Sequence, residues 1–427
     1  MKTSSGTLRD DTSKEVQWDR GTVGVSCQAR YGLVSYWGGK RMKRCLALVL
    51  LCASSFVLGD DLETARRIHK EALGVDSHID TLQWVMYQDA DLSKRHSVYH
   101  VDFPRLHEGG MLAPYFALYV PTYYQGSEAV RRILQLRDAM QRVLDSNPDK
   151  IELAYNASDI LRIHKAGRIA ALLTIESGHA IADDLGVLRM FYRLGVRSMT
   201  LVHFRNNNWA DSSTDEPRHN GLTEFGKDVV REMNRLGMIV DISHVSDKTF
   251  YDTLAVTSKP VIASHSSCRA LSDFPRNMND DMLRALARNG GVIGINFGGG
   301  FLSAKDAEGY KKRIAGRGAL QPSGTGSQLD SFAKDEFVSG YLKMSPSAAT
   351  LEDAVAHIDH VVKVAGVDHV GIGSDFDGIS SVPAGLEDVS KMPYLTAALL
   401  KRGYSEADLK KILGGNHLRV LRAVTGK

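Results

Sequence analysis

The 427-residue sequence predicts an α/β fold in which eight parallel strands and their covering helices close into a (β/α)8 barrel of TIM type. Three features predict it: eight short β-rich apolar runs, amphipathic stretches after most of them, and glycines where helices hand over to strands. The runs are 73–79 (LGVDSHI), 111–120 (MLAPYFALYV), 169–177 (IAALLTIES), 196–202 (VRSMTLV), 238–244 (MIVDISH), 260–265 (PVIASH), 291–297 (GVIGINF) and 369–375 (HVGIGSD). Nearly continuous apolarity is the mark of parallel strands buried on both faces. Between them Val130, Ile133, Leu134, Met140, Val143 and Leu144 keep helical spacing, as do Val229, Val230, Met233 and Leu236, and later Val355, Ile358, Val361 and Val362. Gly237, Gly290 and Gly366 stand where a left-handed C-cap is needed. A doubly wound open sheet is the alternative. The 298–348 stretch, rich in Gly, Ser and Lys, is too long for an ordinary connection and reads as an insertion or lid.

Composition narrows the classes of function. With 43% hydrophobic and 24% charged residues the chain is a core-forming protein, which excludes disorder and coiled coil. Residues 1–59 hold nine basic and four acidic side chains, leaving 44 basic against 46 acidic for the rest. No nucleic acid partner is expected of a body with that balance. Arg41, Lys43 and Arg44 precede an apolar run from Cys45 to Leu58, then Gly59, Asp60 and Asp61, the pattern of a secretory signal. The run is shorter than the roughly 20 residues that span a bilayer, so cleavage near Asp60 is expected, with no stable membrane insertion afterwards. An uncleaved anchor is the alternative, and lipidation of Cys52 a weaker one because the large Leu51 precedes it. Residues 1–41 lie upstream of Met42, which would itself begin a normal signal. The expectation is therefore an N-terminal extension and signal over 1–59, one barrel domain over 60–427, and an exported protein, periplasmic or secreted. Cys27, Cys45 and Cys52 leave with the signal, so Cys268 alone remains and no internal disulfide forms.

Apolar strands ordinarily end in turn residues, yet these end in titratable side chains: His78 and Asp80, Glu176, His203 just beyond the fourth, His244, His265 and Asp375. In a parallel barrel all such ends lie on one face, where enzymes of this architecture build their sites. His78 and Asp80 are two apart and project to the same side of an extended chain. His244 and His265 end adjacent strands, and imidazole is a neutral ligand for zinc. Glu176 has an oxygen for each of two ions, and five ligands suit a pair of ions better than one tetrahedral zinc. Such a pair holds a hydroxide at neutral pH, which is hydrolytic equipment, with Asp375 as the proton carrier. His203 is a candidate for holding substrate or an oxyanion. Among the remaining histidines, His164, His357 and His360 fall in helical runs as packing or surface residues, and His179 stands near Glu176 as a supporting one. No G-x-S-x-G elbow or phosphate loop is present, and a Cys268 thiol nucleophile is discounted in favour of metal at His265.

These residues stand in longer motifs: DSHIDT at 76–81, TIESGH at 174–179, LVHFRNNNWADS at 201–212, GLTEFGKDVVREMNRLGMIVDISHVS at 221–246, PVIASHSSCRAL at 260–271, RNMNDD at 276–281, VGIGSDFDG at 370–378 and GGNHLRV at 414–420. In their order and spacing the chain resembles the membrane dipeptidase (renal dipeptidase) family, the M19 peptidases. The resemblance implies a barrel with two Zn2+ per subunit: His78 and Asp80 on one, His244 and His265 on the other, Glu176 bridging. It also implies that His203 and Arg276 bind substrate, Arg276 at the dipeptide carboxylate, and that Asp375 is the acid/base. The expected activity is hydrolysis of dipeptides, L-Xaa-D-Xaa as well as L,L, by a metal-bridging hydroxide. Such members are often dimers, so a homodimer is expected too. The alternatives are a related amidohydrolase acting on a cyclic amide or lactone, and a non-catalytic metal- or ligand-binding protein. Two departures bear on specificity: Ile79 stands where the family often has Asn, and Gly298 where it often has an aromatic that reaches substrate.

Overall fold

The computed structural model describes residues 61–318, 322, 324–342, 346–379 and 381–427; the signal segment with Cys27, Cys45 and Cys52 lies outside the described residues. Nine strands form: β1 (Val75–Ile79), β2 (Ala113–Tyr119), β3 (Ile151–Leu153), β4 (Ile169–Glu176), β5 (Val196–Thr200), β6 (Ile239–Asp241), β7 (Ile262–Ser266), β8 (Val292–Ile295) and β9 (Val370–Ile372). All pairings are parallel, in the order β2-β1-β9-β8-β7-β6-β5-β4, and β2 then pairs with β4 from Tyr115↔Leu172 to Tyr119↔Glu176. That last pairing closes eight strands into a barrel, as the eight apolar runs predict. The strand absent from the sequence reading, β3, pairs only with the start of β4 at Ile151↔Ile169 and stays outside the ring. Three residues are too few to register a period.

The helices follow the expected spacing with local exceptions. In Ser127–Ser146 the buried stripe is Ala129, Ile133, Leu136, Met140 and Val143, while Leu134 points outward at 46% exposure. Thr223 caps Glu224–Leu236 by accepting from the Gly226 amide, and Gly237 ends it at φ 81°. Gly290 ends Asp280–Asn289 at the same φ. Gly366 differs: at φ 95°, ψ 157° it is extended in a region only glycine enters easily, and it turns the chain from Leu351–Ala365 toward β9. The 298–348 stretch folds largely as helices, Gly299–Leu302, Ala304–Gly318 and Ser327–Leu342.

The barrel is apolar at one end and polar at the other. Val75, Ala113, Ile239, Ile262 and Val292 each begin their strand, and together they pack on Val420, Leu421 and Val424 of the final helix, Asn416–Thr425. Burying such side chains contributes about 1.5–3 kcal/mol each, which seats that helix as a plug under the barrel. Midway up the interior, Asp76 accepts from the Ser374 amide and hydroxyl, and Asp241 accepts from Thr200, Ser243 and Ser264. Among the described residues no helix is long and apolar enough to cross a membrane.

Candidate active site

The rim at the carboxyl ends of the strands collects every residue singled out by sequence. His78 and His265 lie within β1 and β7, Glu176 is the last residue of β4, and Asp80, His203, His244 and Asp375 follow β1, β5, β6 and β9. All seven are buried, and so is Arg276 in the loop after β7. Two strands stop three residues before their apolar runs end, β6 at Asp241 and β9 at Ile372. Beyond each stop the backbone enters the left-handed region, at His244 (φ 70°) and at Asp375 (φ 61°). That conformation costs an L-residue roughly 1–2 kcal/mol, and here it turns two side chains that strand alternation alone would not aim at the barrel axis.

Glu176 is the centre of the cluster. Its Oε1 lies 3.1 Å from His244 Nε2, 3.4 Å from His265 Nε2 and 3.5 Å from His203 Nε2, and its Oε2 lies 3.5 Å from His78 Nε2. His78 Nε2 is also 3.3 Å from Asp80 Oδ2, as the i, i+2 spacing predicts. The His244 and His265 Nε2 atoms approach to 2.9 Å. Three groupings have ligand atoms within 4.8 Å of one another: His78–Glu176–His265, Glu176–His203–His244 and His78–Asp80–Asp375. His203 therefore stands closer to the cluster than a substrate contact needs, a proximity that spacing alone does not reveal.

The donor set fits divalent cations. Edges of a tetrahedral zinc site with bonds of roughly 2.0–2.1 Å measure roughly 3.3 Å, the scale of these separations. Neither nitrogen of the buried His78 makes a hydrogen bond, nor do Asp80 Oδ1, His203 Nδ1 and His244 Nδ1. Burying such groups without partners is costly unless something else satisfies them. Burial holds His203 and His265 down to about 3, and His244 well below its ordinary value, so all three offer lone pairs. Burial, with Asp80 and Glu176 adding repulsion against the opposing pull of His78, pushes Asp375 up to about 8. Cations among these carboxylates would relieve that repulsion and lower it.

Above the cluster opens a cavity of about 830 Å3, open space at its mouth included. Asp80, Glu176, His203, His244, Arg276 and Asp375 line its floor. Arg276 donates to the His265 carbonyl (3.1 Å) and to Ser266 Oγ (3.4 Å), and its guanidinium lies 5.2 Å from the Phe301 ring. Its Nε has no partner, and among the described residues it makes no ion pair. Burial brings it down to about 10, still a cation at neutral pH. Asn296 Nδ2 donates to Asp375 Oδ2 at 2.9 Å.

The far wall and roof come from residues the sequence reading passed over. Gln83 and Tyr87 follow β1, Phe301 and Tyr310 follow β8, and Ala333, Glu336, Phe337 and Gly340 belong to Ser327–Leu342. Where Gly298 offers no side chain, Phe301 and Tyr310 further along the same segment line the cavity. Asp241 was also passed over, although a carboxylate in a strand buried on both faces is a legible anomaly. Cys268 is buried, donates its amide to His357 Nδ1 (3.0 Å), and has its thiol pushed up by burial, so it is no nucleophile. His179 bonds Ser177 Oγ at 2.6 Å and lies away from this cavity.

A closed parallel barrel with imidazoles and carboxylates gathered at its strand ends defines a metal-dependent hydrolase. Comparison with known proteins narrows the class. The model of the membrane dipeptidase family (peptidase family M19) matches residues 62–426. Dipeptidase tcpJ of Claviceps purpurea is 41% identical over 334 residues, covering 76% of this chain and 69% of that protein. Among solved structures, the probable dipeptidase PvdM of Pseudomonas aeruginosa superposes with a TM-score of 0.73 at 27% identity, covering 86% of this chain and 99% of that one. A metallo peptidase of Rhodobacter sphaeroides, liganded with a phosphinate mimic of the dipeptide L-Ala-D-Ala, gives 0.68 at 25% identity over 83% of this chain and 99% of its own. The chain belongs to the membrane dipeptidase family, peptidase family M19. It is a metallo-peptidase, an enzyme of peptide-bond hydrolysis.

Proposed function

We propose that the chain is an exported zinc dipeptidase acting on L,L and L,D dipeptides. The observation that carries this reading is the pairing, on the floor of one cavity, of a buried ligand cluster several of whose atoms lack hydrogen-bond partners with Arg276, a buried cation that makes no ion pair among the described residues. In this reading His78 and Asp80 would hold one zinc, His244 and His265 the other, and Glu176 would serve both. Two such ions supply an activated water and Lewis-acid polarisation of the peptide carbonyl.

The chain's own residues do the rest. Arg276 binds the substrate carboxylate by the paired donors that guanidinium presents to carboxylates, which places the scissile bond beside the cluster. A longer peptide has an amide where the carboxylate belongs and leaves Arg276 unneutralised. Asp375, aimed by Asn296, takes the proton of the attacking water and passes it to the departing amine. His203, neutral and on the cavity floor, donates a ring N–H to the developing oxyanion in this reading. Phe301, Tyr310 and residues of Ser327–Leu342 line the cavity above the cluster. Acceptance of a D-residue at the C-terminal position is supported by the L-Ala-D-Ala mimic in the Rhodobacter sphaeroides relative. Export with cleavage near Asp60 and a homodimeric state complete the reading, checked by the N-terminus of secreted material and by its mass in solution.

Purified enzyme assayed for metal content and against L,L and L,D dipeptides, tripeptides and cyclic amides tests the function. The expected result is two zinc per chain, hydrolysis confined to dipeptides, and loss of activity on exhaustive chelation with recovery on adding zinc. Tripeptides cleaved as fast as dipeptides, or full activity in the chelated protein, would overturn it; hydrolysis of the cyclic amides alone would move the enzyme to that class.

A further inference from the structure

The barrel sets two opposite charges on opposite sides of the site. In cyclic order the ring runs β1, β2, β4, β5, β6, β7, β8, β9, so β2 and β7 stand four places apart, across the axis from each other. Arg276 is bonded to the backbone of β7 at His265. On the other side, Tyr123, four residues beyond β2, donates its hydroxyl to Glu336 (2.9 Å) on Ser327–Leu342. Among the described residues Glu336 has no ion-pair partner, although it lines the same cavity as Arg276. Of the other carboxylates lining the cavity, Asp80, Glu176 and Asp375 belong to the cluster and Asp377 accepts from Thr81 Oγ1 and the His100 amide; Glu336 stands apart from them.

The segment carrying Glu336 is firmly placed. Asp330 pairs with Arg131 (2.8 Å) and accepts from Tyr124 (2.9 Å), and Phe337 packs edge-on against Trp84 with ring centroids 4.8 Å apart. The same cavity has aromatic walls, Tyr87, Tyr119 and Phe337 among them. A cavity with aromatic walls and an unpaired carboxylate suits a long aliphatic stem with a cationic head, which gains from ring faces and from a charged hydrogen bond.

We propose that Glu336 is a specificity-determining residue that selects dipeptides whose N-terminal residue carries a cationic side chain, lysine or arginine. This rests on the dipeptidase reading above: with the carboxylate on Arg276 and the scissile bond at the cluster, the N-terminal residue lies on the β2 side. Its α-ammonium, one carbon from the scissile carbonyl, stays near Asp80 and Asp375, whereas its side chain reaches the roof.

The test compares kcat/KM of the zinc-loaded enzyme on Lys-Gly, norleucyl-Gly and Glu-Gly, for the native chain, Glu336→Gln and Glu336→Lys. Lys-Gly and norleucyl-Gly share a stem and differ in charge, so their ratio isolates the subsite from general damage. The native enzyme is expected to favour Lys-Gly over norleucyl-Gly by roughly tenfold, the scale of one charged hydrogen bond. Glu336→Gln brings that ratio to about one, and Glu336→Lys turns the preference toward Glu-Gly. An unchanged ratio in Glu336→Gln overturns the proposal, as does an equal fall on all three substrates, which would put Glu336 on the α-ammonium or on the roof's packing. Failure of the native enzyme on all three, norleucyl-Gly included, would instead remove the dipeptidase reading and this proposal with it.

Discussion

Replacing Asp241 by Asn exchanges one carboxylate oxygen for an amide nitrogen at the centre of a buried relay behind His265. Oδ1 of Asp241 accepts from the amides of Ser243 and Ser264, each at 3.0 Å, and Oδ2 accepts from Thr200 Oγ1 at 2.8 Å and Ser264 Oγ at 2.5 Å. With its proton committed to Asp241, Ser264 Oγ accepts from His265 Nδ1 at 2.8 Å. The His265 proton is therefore assigned to Nδ1, and Nε2 keeps a lone pair directed at the cluster. In the Asn variant the two backbone donors hold Oδ1, so the amide NH2 faces the hydroxyls. Ser264 Oγ then accepts from it and turns its own proton to His265 Nδ1, which forces the imidazole proton onto Nε2. All four hydrogen bonds to the carboxylate become bonds to a neutral amide, a loss of about 1 kcal/mol each that relief of the buried charge's desolvation offsets in part, leaving about 2 kcal/mol. Loss of a partner that orients a metal-binding imidazole lowers metal affinity about 10–100-fold. Denaturant unfolding of the metal-free chain is expected to show a loss of about 2 kcal/mol, and a chelator-competition titration with zinc the fall in affinity. Thr200→Val is the control: it removes one donor to Asp241 without touching Ser264, and costs stability with little change in affinity. Native zinc affinity in Asp241→Asn would refute the tautomer argument, whatever the stability change.

Other consequences are equally concrete. His69 is buried between the Gly109 carbonyl and Thr396 Oγ1, both at 2.7 Å, and burial lowers it from 6.5 to about 4. Its contribution is thus fully present above pH 6.5 and lost as pH falls through about 4, in total about 3 kcal/mol; unfolding free energies of the native chain and His69→Gln should converge toward pH 4, and parallel curves would contradict this. A Cβ at Gly373 would lie 1.8 Å from the Ser264 carbonyl oxygen and 2.9 Å from Ser77 Oγ, so Gly373→Ala should cost roughly 3 kcal/mol or more, and a native unfolding midpoint would show that β7 and β9 part more easily than the packing implies. Asp375→Asn should keep zinc and the fold while kcat falls about 10²–10⁴-fold, the usual weight of a general acid–base; dipeptide hydrolysis at the native rate would remove Asp375 from the mechanism.

The sequence alone determined the barrel's parts and most of the residues that gather at its rim. A strand buried on both faces must be apolar along its length, so runs such as IAALLTIES declare themselves, and a titratable residue ending such a run is conspicuous. His78 with Asp80, Glu176, His265 and Asp375 were legible for that reason, and the spacing of two carried its geometry with it because strand alternation is local. Arg276 entered only through the resemblance, since an Arg in a loop has no periodicity to betray it. The tertiary structure alone decided where strands stop, which residues turn left-handed at His244 and Asp375, and that β3 is left out of the ring so that β2 meets β4. It also decided that Asp241 reaches His265 through Ser264 and that Glu336 and Arg276 line one cavity. These are relations between segments far apart in the chain, and they exist only once closure of the ring has fixed the cyclic order of its strands; no local pattern of residues encodes that order.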